Sequence, residues 1–452
     1  MRATGTVIIG GGQAGLSLSH HLARARQPHV VLERGRAGER WYSERWDSLT
    51  LLTPNWLNRL DGGETHVPAD GFLGRTEFAR YLREYAQRRR THVHEHVMVA
   101  AVEQWRDGFH VTTDAGVWRA RNVVVATGDA AEPFVPAEAT AAPSWIAQLH
   151  SSRYTNPSAL PSGGILVVGA GPSGQQIAAE LRRAGRDVVL AVGRHTRSLR
   201  RYRGRDIWHW LEHLGDLERR IEDCPDPEAA RQAPSLTLSG ANGGEQLDLD
   251  VLRGLGVTIV GRLEQFGGRR ASFADDLEGS LAAADRRLRR LLERIDDHVE
   301  ASLPRWAHDP THVSPVRIPP APAALDLASR GIATVLWATG YRRDYSWLHA
   351  PALDGGGELV HEHGVTVVPG LYALGLKFQR RRASHFIGRV GADAGFIAGR
   401  IATIRASRAA RPWQAPPLGG TRPVPDRQSR RASARGTLPP PAGAGALASL
   451  AR

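Results

Sequence analysis

The 452-residue chain has a single cysteine, Cys224. No internal disulfide, CxxC redox pair or cysteine-rich zinc site can be built from it, and no metal site is expected. A reducing, cytosolic compartment fits this usage. Lysine is equally scarce, since Lys377 is the only one among 59 basic residues. That bias has the look of a GC-rich genome. No apolar run approaches the roughly 20 residues of a membrane span. The apolar residues near the N-terminus are committed to a first strand and not to a signal peptide. The net charge of +13 suggests nucleic acid, but its distribution argues otherwise. Residues 406–452 hold eight arginines against one acid, Asp426, so more than half of the surplus lies in that tail. The folded part lacks a basic stripe interleaved with aromatics, and nucleic acid is not the expected partner.

What is present is ordinary for a globular protein: 41% hydrophobic and 23% charged residues, in a chain long enough for two or three domains. The most informative stretch is Gly10-Gly11-Gly12-Gln13-Ala14-Gly15. The β-branched run Thr6 to Ile9 precedes it. A helical pattern with Leu18, Leu22 and Ala25 follows, then a second buried strand, His29 to Leu32. Gly10 allows the turn, Gly12 lets a pyrophosphate approach, and Gly15 lets helix and sheet pack closely. Glu33 lies 18 residues beyond Gly15, near the spacing of a carboxylate that grips a ribose 2′-hydroxyl. It would repel a 2′-phosphate, so this cradle suits FAD or NAD.

A second cradle repeats the first. Ile165 to Val168 reads as a strand, followed by Gly169-Ala170-Gly171-Pro172-Ser173-Gly174, a helix, and the strand Asp187 to Val192. Two such units in one chain point to two nucleotides. No carboxylate stands at the place of Glu33; Gly193-Arg194-His195-Thr196-Arg197 follows instead. Arginine pairs bidentately with phosphate, so Arg194 and Arg197 favour NADPH over NADH.

Between and beyond the cradles lie further signals. Arg40 to Leu49 is dense in tryptophan and arginine, and its aromatics either wall a flat ligand or simply pack. Thr76 to Arg90 reads as a helix with a threonine cap. Val97–Val102, Phe109–Thr113, Val117–Arg119 and Asn122–Ala126 read as strands. The last of these ends in Ala126-Thr127-Gly128. Pro143 to Pro161 reads as a linker, and residues 216–250 as a mobile insertion. Leu277 to Leu303 reads as a long helix, and Thr334 to Trp337 as a strand ending in a second Ala338-Thr339-Gly340. Asp393 opens a closing helix, where it either caps the helix or helps bring backbone to a ligand. From residue 406 onward the composition predicts disorder.

The order of these pieces resembles the flavin-containing monooxygenases, most closely their CzcO-like bacterial branch, with plant YUCCA and Baeyer–Villiger enzymes as more distant relatives. The resemblance covers residues 5 to about 404. It rests on Gly10 to Gly15 with Glu33, Arg45 to Leu49, Ala126 to Gly128, His150 to Tyr154, Gly169 to Gly174, Arg201 to Asp206, Ala338 to Tyr341 with Trp347, and Gly391 to Ala394. Ser144 and Ile146 stand where the family's linker signature has phenylalanine and glycine, so only the His150-x-x-x-Tyr154 half is kept. Tyr154 in place of tryptophan speaks against a Baeyer–Villiger enzyme. The family places asparagine directly after a threonine near the flavin, whereas here Pro54 follows Thr53, which leaves the substrate class open.

The resemblance implies an α/β protein with two Rossmann-like dinucleotide domains, the second inserted in the first. FAD-binding segments are expected at 1–156 and 317–405, an NADPH domain at 157–316, and a disordered basic tail at 406–452. FAD is expected at Gly10, Gly12, Gln13, Ala14, Gly15, Glu33, Arg34, Trp41, Arg45, Trp46, Thr53, Val99, Ala126, Thr127, Gly128 and Asp393. NADPH is expected at Gly169, Gly171, Pro172, Ser173, Gly174, Arg194, Arg197, Ala338, Thr339 and Gly340. Trp46, Trp208, Phe378 and Gln379 are candidates for the pocket wall. The implied reaction passes hydride from NADPH to flavin, and a C4a-peroxyflavin then oxygenates a small organic substrate. A flavin reductase or oxidase without oxygen insertion, or a flavin-binding regulator without turnover, are the alternatives. No acid–base catalytic residue stands out, because the cofactor carries the hard chemistry.

Overall fold

The computed structural model describes residues 1–64, 66–302 and 308–408. The chain enters through β1 (Arg2–Ile9), α1 (Gln13–Arg24) and β2 (His29–Leu32). β1 is flanked by β2 and by β3 (Gly116–Val125), both parallel to it. Where the sequence suggests two short strands at 117–119 and 122–126, the structure has this single long one. Its first half closes an antiparallel meander with Gly108–Thr113 and Val99–Trp105, and its second half joins the parallel core. The helix expected from Thr76 runs over Arg75–Arg88. A threonine cap is replaced by Glu77, whose carboxylate accepts from the Gly74 N–H at 2.8 Å.

A second, fully parallel sheet follows. It is ordered β7 (Thr258–Val260), β6 (Val188–Ala191), β5 (Gly164–Val168), β8 (Ile332–Trp337) and β4 (Ala147–His150), with α2 (Pro172–Arg183) after β5. Hence the stretch expected to be a linker contributes an edge strand. This sheet also reaches beyond residues 157–316 on both sides. The chain then returns to the first sheet through β9 (Leu371–Ala373), parallel to β3, and ends its described part in α3 (Val390–Arg408). The tail assigned to 406–452 thus begins inside a helix, and residues 409–452 lie outside the described residues, as does Leu303.

Each sheet has its own core. Leu18 and Leu22 of α1 meet Val390, Ala394, Ile397 and Ile401 of α3 over the first sheet. Ile177, Ala178 and Leu181 of α2 pack over the second with Leu190 and Leu336. Trp46 and Leu49, from the first half of the chain, belong to that second core and dock one sheet on the other. Residues 216–250 are anchored at both ends by buried Leu217, Ile221, Leu238, Leu247 and Leu249, while 225–235 between them is largely exposed. No helix among the described residues is long and apolar enough to cross a membrane.

Two half-buried histidines give the fold an acid limit. Burial, with Arg231 and Arg343 nearby, lowers the pKa of His361 to about 4. Burial does the same to His385, down to about 4, against the opposing field of Asp129. In the unfolded chain both titrate near 6.5. Between these values the unfolded state binds more protons, so stability is full above pH 6.5 and drains as the pH falls toward 4. Urea midpoints are expected to drop over that window, and the slope to lessen in His361→Gln.

Candidate functional site

Both cradles sit where a central strand has neighbours leaving in opposite directions, the position at which open α/β sheets bind ligands. The backbone explains the glycines. Gly10 and Gly169 have φ of +113° and +108°, and a Cβ on either would lie 2.5 Å from the carbonyl oxygen of Ala126 or Ala338. The two Ala-Thr-Gly segments therefore play the same part, each ending the strand against which a cradle turn is pressed. A Cβ on Gly15 would lie 2.0 Å from the Gly10 carbonyl oxygen, and one on Gly174 would lie 1.8 Å from that of Gly169. On Gly12 and Gly171 it would meet nothing within 4 Å. These two glycines border open space in front of the amino ends of α1 and α2, where unpaired N–H groups and the helix dipole favour phosphate.

Glu33 directly follows β2, with one oxygen accepting from the Gly11 N–H at 2.6 Å and the other from the Gly35 N–H at 2.9 Å. Each oxygen keeps a further lone pair for a ribose hydroxyl. Asp393 is fully buried in the first turn of α3. Arg380 and Arg381 approach its Oδ1 at 3.3 and 3.5 Å, while Oδ2 has no partner among the described residues. Burial raises its pKa. An orphaned buried acceptor of this kind fits a ligand hydroxyl, and the cradle, Glu33 and Asp393 together fit FAD. The second cradle, open at Gly171 and free of a carboxylate at the strand end, fits NADPH.

Two cavities open at these cradles. One of 740 Å³ is lined by Gln13, Trp41, Arg45, Trp46, Thr53, Trp208 and Phe378 among others. The other, of 580 Å³, is lined by Gly169, Gly171, Arg194, Ala338, Thr339 and Gly340 among others. Ser151, Pro172, Ser173, Pro234, Ser235 and Tyr341 belong to both walls, so the two cavities are neighbours with a wall in common. Arg45 sits at the junction, its guanidinium 5.5 Å from the Trp41 ring centre and donating to the Tyr341 hydroxyl at 3.4 Å.

His150 supports this junction from behind. Its Nε2 lies 2.9 Å from the Gly340 carbonyl oxygen, and its Nδ1 accepts from the Ser152 N–H at 3.1 Å. That pairing requires the neutral ring with its proton on Nε2. Burial lowers its pKa in the same sense. Tyr154 is buried and donates to Glu180 at 2.8 Å, and the other oxygen of Glu180 accepts from Ser48 at 2.8 Å. The two ends of the linker motif thus tie the second sheet to the last Ala-Thr-Gly and to the Trp46 segment.

Residues 7–214 match the family described as pyridine nucleotide-disulphide oxidoreductase. An uncharacterized CzcO-like oxidoreductase of Geobacillus kaustophilus is 32% identical over 394 residues, covering 86% of this chain and 96% of that protein. The chain belongs to the CzcO-like oxidoreductase family. The rice indole-3-pyruvate monooxygenase YUCCA1 is 32% identical over a shorter 196 residues, 42% of this chain and 47% of the enzyme. A flavin-containing monooxygenase from Stenotrophomonas maltophilia has a similar fold, with a TM-score of 0.63 at 21% identity, covering 89% of this chain and 99% of that one. Dithiol chemistry, which the first family description suggests, has no basis in this CzcO-like chain, because Cys224 has no second cysteine to pair with.

Several expected residues stand elsewhere. Arg197 does not reach the second cavity. Its guanidinium is paired with Asp248 at 3.2 Å and Asp285 at 2.8 Å, which leaves it committed to the protein. Arg262, which has no motif to mark it, lines the cavity beside Arg194 in its place. Gln379 is fully buried and is not part of the wall. Its amide donates to the Ala373 carbonyl at 3.1 Å, bracing the loop after β9. Thr53 lines the first cavity, but its hydroxyl is already given to Asn58 at 2.6 Å. Arg34 is paired with Glu44, and Val99 opens a meander strand opposite Thr113. Missed from the sequence were Lys377, Arg382, His385 and Phe386 of the return segment, and the 219–236 stretch facing them. The isolation of Lys377 as the one lysine was the only signal available.

Proposed function

We propose that the chain is an FAD-dependent, NADPH-using monooxygenase that transfers one atom of dioxygen to a small organic molecule. The observation that carries this reading is the shared wall of the two cavities, which allows a nicotinamide held at the second cradle to face a flavin held at the first. A bound flavin supplies the redox chemistry, accepting hydride and activating dioxygen. The chain's own groups bind and orient. The amino ends of α1 and α2 receive the pyrophosphates, Glu33 a ribose, Asp393 a further hydroxyl, and Arg194 a 2′-phosphate. Trp41, Trp46, Trp208 and Phe386 keep bulk water from the meeting point, which strengthens every electrostatic contact inside.

Stopped-flow absorbance tests the reading. Anaerobic NADPH should bleach the flavin, and oxygen should then produce a long-lived absorbance unlike that of oxidised or reduced flavin. Immediate release of peroxide would instead indicate an oxidase, and absence of bleaching a protein that binds flavin without turning over.

A further inference from the structure

The wall of the first cavity formed by the return segment carries polar groups that neither cradle uses. Lys377 donates its ammonium to the Ala233 carbonyl. The carboxylate whose field reaches it, Asp129, is held by Arg343 at 2.7 Å. Arg382 shares Asp216 with Arg294, at 3.2 and 2.6 Å, so two guanidiniums face one carboxylate. His385 buries an Nδ1 that has no hydrogen-bond partner among the described residues. All three line the cavity beside Trp208, Phe378 and Phe386.

The carboxylates of the same lining do not compensate them. Glu44 is engaged by Arg34 and Arg40. Asp226 caps a short helix, accepting from the Ala229 N–H at 2.9 Å. An apolar cavity thus holds surplus positive charge and an unfilled ring nitrogen, both costly to bury without a partner. A carboxylate would satisfy them together, accepting from an ammonium, a guanidinium and the imidazole N–H.

We propose that the cavity takes a substrate with a carboxylate on an aromatic or similarly apolar body, the carboxylate lying against Lys377, Arg382 and His385. The apolar body then lies among Trp208, Phe378 and Phe386. Burial depresses the pKa of Lys377, and an arriving anion favours its charged form. This deepens the monooxygenase reading and rests on it for what happens after binding, whereas recognition rests on the cavity alone.

Calorimetric titration of the purified, flavin-loaded protein tests it with 3-phenylpropanoate and its neutral near-isostere 3-phenylpropanamide. The acid is expected to bind at least about tenfold more tightly, the margin of a site built around a polar group. Lys377→Met is expected to remove most of that preference; should it not fold, Lys377→Gln takes its place. Equal affinities, or no heat from the acid at millimolar concentration, would overturn the proposal. So would a lysine variant that keeps the acid-to-amide ratio while losing affinity for NADPH or flavin, since the lysine would then serve a cofactor phosphate. The readout is binding, so a failure of oxygen transfer leaves this result standing, and a colourless protein marks failure of the flavin reading instead.

Discussion

Gly12→Val is expected to give a folded protein that purifies colourless, whereas Gly15→Ala is expected not to fold. The two glycines lie three residues apart, and their surroundings differ in kind. At Gly15 the added Cβ would stand 2.0 Å from the Gly10 carbonyl oxygen and 3.3 Å from Ile8 Cγ2. Both are atoms of the turn and strand on which the first sheet is built, so relief requires α1 to move off β1. Overpacking costs about 1–3 kcal/mol when a core can adjust and more when backbone must move, a large part of the ordinary stability of a domain. At Gly12 no atom of the chain lies within 4 Å of the added carbon. The side chain instead fills the space facing the α1 amides, where a pyrophosphate has to sit.

Thermal unfolding of Gly12→Val apoprotein should match that of wild-type apoprotein within a few degrees. Its flavin affinity should fall by about a hundredfold or more, equivalent to the loss of two good hydrogen bonds to charge. Gly171→Val and Gly174→Ala should reproduce the contrast at the second cradle, where the corresponding distance is 1.8 Å. There the folded variant should remain yellow and lose its response to NADPH. Flavin retained by Gly12→Val at wild-type affinity would remove the first cradle from the proposed function.

The cradles were legible because most of what fixes them is local. A strand, a turn and a helix within about twenty residues set the glycine pattern and the place of Glu33. What was not legible depended on partners far along the chain. Ala-Thr-Gly carries little information until Gly10 and Gly169 are found pressed against the carbonyls of Ala126 and Ala338. Residues 147–150 read as linker because an edge strand of four residues has too short a pattern to count, and it exists by pairing with β8 almost 190 residues later.

The stretch 216–250 looked loose for a similar reason. Its sparse apolar residues have no helical or strand period, yet Leu217 and Ile221 are covered by the return segment, with the Ile221 N–H donating to the Arg380 carbonyl and the Arg382 N–H to that of Arg219. Leu247 and Leu249 are covered by the second sheet's core. Phe378 adds a second obstacle, since it turns into the wall from a left-handed backbone with φ of +51°. That conformation is uncommon outside glycine and has no sequence marker here.

The same distance effect separates two arginines that the sequence treats alike. Arg194→Ala should lower kcat/KM for NADPH by about 10- to 100-fold while leaving the value for NADH within about twofold. That is the expected loss of one charge-assisted contact, about 1.5–3 kcal/mol. Arg194 is exposed at the end of β6 and lines the second cavity. Removing it exposes no buried partner, so stability should hardly change. Arg197→Ala should behave in the opposite way. It strands Asp248 and Asp285, both buried. Breaking a buried pair from one side costs about 3–5 kcal/mol, so that variant should melt early and show no selective loss of NADPH. Arg262 lies beside Arg194 but is 58% exposed and 3.4 Å from Asp276. Its replacement should weaken NADPH less than Arg194→Ala does, because part of its charge is already answered. An unchanged ratio of NADPH to NADH in Arg194→Ala would assign the 2′-phosphate to another group, and Arg262→Ala in the same assay would show whether it is that one.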